Sequence, residues 1–334
     1  MVRSHTAALG LVGLCSMGSP AAAESAWERR FMVGASIDPS PNGVVDLGLR
    51  REALSLQLLT DTLEVRWAPE GDHGRSWLAA RAELGAVGLL ISPWFDGTPV
   101  PEAGFAGGYL GGEAGRIRYL PHGFYVGGST FAYYTAFYEI PSTQVPVPDP
   151  TPWLGLDALG GWWSPHTHAW LRVGVQHDTL GAPLQPHAHL QVRSASDTPI
   201  GHRAALHAGT GRGQSILTRT RVGGLNPYAV PLAGAGWGEW WAETYAIARL
   251  GPQVCHTVGE NLFTHALVFD GGVVDDALGD QVSELTSVWG VGALHRWEGL
   301  RWFAQADLGW AGGLTRTSDV PRWSGWLLVG KPWN

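Results

Sequence analysis

Apolar and polar residues alternate with a period of two along much of this chain. In "GLRWFAQADLGW", residues 299–310, Leu300, Trp302, Ala304, Ala306, Leu308 and Trp310 fall on one face. Arg301, Gln305 and Asp307 fall on the other, with Phe303 the one large apolar residue among them. Side chains alternate in this way only in an extended strand. The pattern recurs in "VDLGLR", where Val45, Leu47 and Leu49 oppose Asp46 and Arg50, and in "TLEVRW", where Leu63, Val65 and Trp67 oppose Glu64 and Arg66. In "HAHLQVR", His187, His189, Gln191 and Arg193 oppose Ala188, Leu190 and Val192. The segment "SWLAARAELGAVGLLI", residues 76–91, fits a strand and an amphipathic helix equally well.

Turn signals such as "SPNG" (40–43), "APEGDHG" (68–74), "VPVPDPTP" (145–152) and "HDTLGAP" (177–183) cut the chain at short intervals. Alternating runs between them amount to roughly 16 strands of ~10 residues, which predicts an all-β fold: a single transmembrane antiparallel β-barrel. No strict internal repeat is present, which counts against a propeller.

Composition supports lipid-facing strands. The chain has 18 Trp and 47 Gly, and only 15% of its residues are charged, as suits strands with aromatic girdles at both interfaces. A secreted soluble β-protein that binds glycans through Trp is the competing reading of the same numbers. Past the N-terminus no apolar run is long enough for a transmembrane helix, so a membrane location requires a closed barrel.

Arg3 and His5, the apolar run 6–17 and the small-residue pattern around Ala21 and Ala23 predict a cleaved signal peptide over residues 1–23. The barrel is then expected over 24–334, in a Gram-negative outer membrane. Cys255 would be the sole thiol of that mature chain, which excludes a disulfide scaffold. Net charge is −7 and Lys331 is the one lysine, so no nucleic-acid partner is expected.

The stretch "RVGGLNPYAVPLAGAGW", residues 221–237, has the glycines and prolines of a loop but is apolar almost throughout. It is followed by "WWAETYAIARL", "ENLFTHALVFDGGVV", "WGVGALHRWEGLRWFAQADLGW" and the closing "RWSGWLLVGKPWN". This order resembles the C-terminal part of the barrel in the outer-membrane assembly factor and two-partner secretion transporter superfamily, the bacterial surface antigen family. The resemblance covers residues 216–334 and rests on order, since no single motif in it is strong.

By that resemblance Gly223 and Gly224 start a loop tucked inside the barrel, about 223–236, with Asn226, Pro227 and Tyr228 in it. Glu243 and Arg249 sit in the next strand, Asp270 and Gly272 match a signature D-x-G, and Gly290 and Gly292 match a glycine strand. Asp307 matches an Asp-bearing strand, and Trp333 the terminal aromatic. Two departures stand out. The loop lacks the Arg-Gly pair that normally reaches the signature Asp, and the chain has no room for the periplasmic polypeptide-transport-associated domains. Asp270 therefore needs another cation, Arg219, Arg221 or a further lumenal arginine, because a buried carboxylate without a partner costs several kcal/mol or neutralises.

Other chemistry is sparse. His187 and His189 have a spacing that chelates metal, but nothing completes a ligand set, so they are read as lumenal polar residues and no metal or cofactor is expected. No local motif such as G-x-S-x-G pairs a nucleophile with a base, so no enzymatic activity is expected. The aromatic run 123–138 reads as a girdle and lipid-facing stripe, with a sugar slide as the alternative. The leading expectation is insertion or translocation of client polypeptides at the outer membrane. The second is a passive porin-like channel for small solutes, in which Arg172, Arg193 and Arg301 line the lumen and set selectivity.

Overall fold

The computed structural model describes residues 28–37, 43–59, 62–83, 94–95, 98–99, 106–138, 149–181, 183–196, 198–211, 220–223, 230–235, 240–275, 285–312 and 323–331. The signal-peptide segment 1–23, Gly224, Asn226, Pro227, Tyr228 and Trp333 lie outside the described residues.

Sixteen strands form the wall. They are β1 (Glu28–Ile37), β2 (Gly43–Arg51), β3 (Leu54–Leu59), β4 (Thr62–Trp67), β5 (Gly74–Glu83), β6 (Ala106–Tyr119), β7 (Phe124–Tyr138) and β8 (Thr151–Trp163). The second half comprises β9 (Thr167–Asp178), β10 (Gln185–Ala195), β11 (Ile200–Gly211), β12 (Tyr245–Val258), β13 (Asn261–Asp275), β14 (Leu285–Glu298), β15 (Phe303–Gly312) and β16 (Trp323–Lys331). Each strand pairs antiparallel with the next, and β16 pairs with β1 from Phe31 opposite Lys331 to Ile37 opposite Gly325. Closure leaves no sheet edge, so ladder hydrogen bonds are made within the wall, as a strand in hydrocarbon requires.

The connections differ at the two ends. One end has tight turns, such as 52–53, 164–166 and 259–260; the other carries the longer segments 84–105, 139–150 and 212–244. The alternation read from sequence holds, with one adjustment. β15 begins at Phe303, and Leu300, Arg301 and Trp302 stand in the turn before it, closed by the Gly299 N–H on the Trp302 carbonyl at 2.8 Å. The ambiguous segment starting at residue 76 is strand as far as Glu83.

The wall is inverted relative to a soluble protein. Leu110, Leu156 and Leu267 point outward and are 65%, 62% and 64% exposed, whereas Asp46 and Asp270 point inward and are fully buried. Exposed Trp67, Phe124 and Trp302 ring the tight-turn end, and Tyr138, Trp289, Trp310 and Trp323 the loop end. A continuous apolar belt of this extent has no counterpart on soluble monomers, where such patches are small, and it matches the hydrocarbon band of membrane barrels. The aromatic run of β7 divides between the two faces. Tyr134 and Tyr138 face outward, while Phe131 is buried on the lumenal side, where its ring lies 5.5 Å from that of Tyr133.

The outward face gives a direct test. Leu156→Arg in the middle of β8 is expected to destabilise the protein by about 2–4 kcal/mol in lipid bilayers. Equilibrium unfolding followed by tryptophan fluorescence measures it, and a loss below about 0.5 kcal/mol, typical of a water-facing position, would contradict a lipid-facing wall.

Candidate functional site: a loop anchored in the lumen

Between β11 and β12, the described residues 220–223, 230–235 and 240–244 include several packed against the wall. Thr220–Val222 and Trp240–Ala242 pair as a short antiparallel ribbon, and the Gly223 N–H donates to the Val230 carbonyl at 3.0 Å. From this ribbon Val222, Val230, Leu232, Ala235, Trp240 and Ala242 form one buried cluster with Tyr245, Ile247, Val274, Val288 and Ala311 of the wall. These described side chains are apolar because they meet wall rather than water.

Its innermost described turn is fixed by Asp270 of β13. The Ala233 N–H donates to Asp270 Oδ2 at 2.7 Å. From β12, Arg249 closes a two-point pair on the same carboxylate, Nε to Oδ1 at 2.6 Å and Nη2 to Oδ2 at 2.7 Å. Register makes this pair unavoidable, since Arg249 stands directly opposite Asp270 across the hairpin. A charge-assisted fork of this kind offsets the desolvation of a fully buried carboxylate. The cation that Asp270 requires is thus Arg249.

Glycines make the seat beneath that turn. A Cβ on Gly290 would lie 2.0 Å from the Ala233 carbonyl oxygen, and one on Gly309 would lie 2.4 Å from the Gly234 nitrogen. Gly234 itself has a φ of 80°, a left-handed conformation that glycine adopts without strain, and it rests against the Trp310–Ala311 backbone. A Cβ on Gly292 would lie 3.0 Å from the Ala233 side chain. Gly272 serves another contact: its Cβ would fall 1.8 Å from the Ala246 carbonyl across the β12–β13 pair. Glu243 precedes β12 rather than lying in it, and its backbone N–H donates to Asp275 at 2.8 Å, a second tie at the base of the loop.

Asp307 lies two residues from Gly309 on the same inward face of β15 but makes no hydrogen bond to the described loop residues. It is buried opposite Leu294 and Trp326 and accepts from Gln305 Nε2 at 2.5 Å. Arg172 lies 3.9 Å from Asp157, which also meets His187 Nε2 at 2.7 Å. His187 and Asp157 reach each other over Gly174, where a Cβ would fall 2.1 Å from Asp157 Oδ1. Arg193 faces the lumen; Arg301 is exposed in the turn 299–302 and does not line the lumenal wall.

Sequence reading did not single out the remaining lumenal network. Arg30 pairs with Asp46 at 2.7 Å, and Gln57 donates to the same carboxylate at 2.8 Å. Arg81 bonds to Glu64 and lies 3.4 Å from Glu113, which also accepts from Trp77 Nε1 at 3.2 Å. Alternation marks each residue as lumenal, but only strand register reveals which cation meets which carboxylate.

Two substitutions separate the ion pair from the seat. Asp270→Ala strands the Arg249 guanidinium and should cost about 3–5 kcal/mol, part of which the double variant Arg249→Ala/Asp270→Ala recovers; urea unfolding in detergent measures both. Gly290→Val should displace the loop while keeping the Arg249–Asp270 pair, seen as new protease cleavage within 223–240 of an otherwise folded barrel. A loop equally protected in Gly290→Val would refute the seat.

No protein-family model and no curated protein sequence matches the chain. Among solved structures, CdiB from Acinetobacter baumannii superposes with a TM-score of 0.62 at 12% identity, covering 91% of this chain. CdiB from Escherichia coli superposes with a TM-score of 0.65 at 10% identity, covering 92%. The chain spans 60% and 63% of the lengths of those two proteins. The closed barrel expected from the sequence is the fold observed, and it is the fold of the two CdiB barrels.

Proposed function

We propose that this chain is an integral outer-membrane barrel that inserts or translocates polypeptides, with the loop between β11 and β12 held in the lumen as its constriction. The observation that carries this reading is the Ala233 N–H bound to Asp270 over the glycines at 290 and 309. A loop built to pack on the inner wall, with its own apolar cluster and its own glycine seat, narrows the passage through a barrel. Its release then governs what passes. The outward apolar belt supports the membrane setting, and the fold shared with CdiB supports the transporter class.

A passive channel is the second reading. It is favoured by the polar inner wall, where Gln176, Gln185, Gln191, His187 and His207 make side-chain hydrogen bonds in place of an apolar core. Planar-bilayer recording decides between the two. A loop-constricted transporter gives small, flickering currents that grow severalfold when residues 223–236 are deleted. Large, stable, ion-selective steps in the wild type, unchanged by that deletion, favour the channel.

A further inference from the structure

Most arginines buried on the inner wall lie within ion-pair distance of a carboxylate. Arg30 has Asp46, Arg50 has Glu28, Arg66 and Arg81 share Glu64, Arg172 has Asp157, Arg249 has Asp270 and Arg296 has Glu298. Among the described residues, no carboxylate lies within ion-pair distance of Arg193 on β10 or Arg203 on β11. Both are half-buried, and both share the inward parity of Gln191 and His207, which bond to each other at 3.1 Å.

The two unmatched arginines are neighbours. Arg193 stands opposite Ala205 and Arg203 opposite Ala195, so they occupy one diagonal of a four-residue patch whose other corners are alanines. Diagonal positions on paired strands are roughly 7–8 Å apart, within reach of two long side chains converging on one group. Nearby Arg249, also opposite Ala205, adds no free carboxylate, because Asp270 is already engaged by it and by the loop.

Asp307 lies within electrostatic reach of Arg203 but beyond ion-pair distance, so the two adjacent guanidinium charges, with Arg249 nearby, still repel each other, and the repulsion grows in a partly desolvated lumen. We propose that Arg193 and Arg203 form a lumenal binding site for a phosphate-class oxyanion. Each guanidinium is a planar fork of N–H donors, and the pair carries two positive charges. A tetrahedral dianion supplies enough oxygen atoms and charge to match both forks; a single carboxylate carries half the charge. The site faces the lumen, so its ligand is a solute or a phosphorylated group passing through the barrel, and not a headgroup of the surrounding bilayer.

The experiment uses the full chain folded in detergent, with inorganic phosphate as the probe against chloride at constant ionic strength. The readout is the midpoint of the heat-induced mobility shift on gels, which is independent of conductance and so of the reading of the loop. Phosphate should raise the midpoint of the wild type and of Arg172→Gln, whose arginine is matched to Asp157, and should leave Arg193→Gln/Arg203→Gln unshifted. If the double variant does not fold, the single variants replace it, each with a response to phosphate weakened severalfold. A wild type that phosphate does not stabilise beyond chloride overturns the proposal. So does an undiminished response in the variants, or an equal loss in Arg172→Gln.

Discussion

The Asp270 carboxylate is the point on which wall, loop and lumen converge. It is fully buried on β13, and a carboxylate in that position persists only if cations and N–H donors surround it. The hairpin register supplies Arg249, and the loop supplies the Ala233 N–H. Remove the carboxylate and both the strand pair and the loop lose their common acceptor. The apolar cluster around Trp240 and Leu232 then keeps only the Glu243–Asp275 tie at the base of the loop to set its position along the wall.

The same reasoning extends around the barrel. Lipid on the outside forces polar side chains inward, and a partly desolvated interior forces them to find each other. The results are ladders such as Arg30–Asp46–Gln57 on one side and Asp157–His187 with Arg172 on another. Glycine has a spatial role in this arrangement. At 174 it lets two side chains cross a strand, and at 290 and 309 it lets backbone lie on backbone.

Much of this was legible in the sequence, and for a physical reason. A strand between two media records both, so the alternation at Val45–Leu49 and His187–Arg193 identified strands and faces directly. The apolar character of 221–237 was also conspicuous, since apolar residues between glycines are out of place in water, and its described residues Val222, Val230, Leu232 and Ala235 are buried against the wall. The residue that anchors the loop was not. Ala233 acts through its backbone N–H, a group common to every residue but proline, and so leaves no mark in the side-chain pattern. Arg301 was misplaced because the alternation of β15 continues through the turn before it, where parity no longer reports a face. The Arg193–Arg203 pair depends on cross-strand register, which no local pattern contains.

One consequence follows from which chain segment owns the guanidinium. Arg249 and Asp270 sit on adjacent strands joined by the tight turn 259–260, so their pairing is complete without the loop. The loop brings only a neutral N–H and small or apolar side chains to the seat, and its withdrawal strands no charge. Selection on side-chain identity therefore falls on the wall, at Asp270, Arg249 and the glycines, while the loop tip answers mainly to shape. Loop sequences are accordingly free to diverge, and to be exchanged by an engineer, so long as a glycine-like turn and an available N–H arrive at the same place.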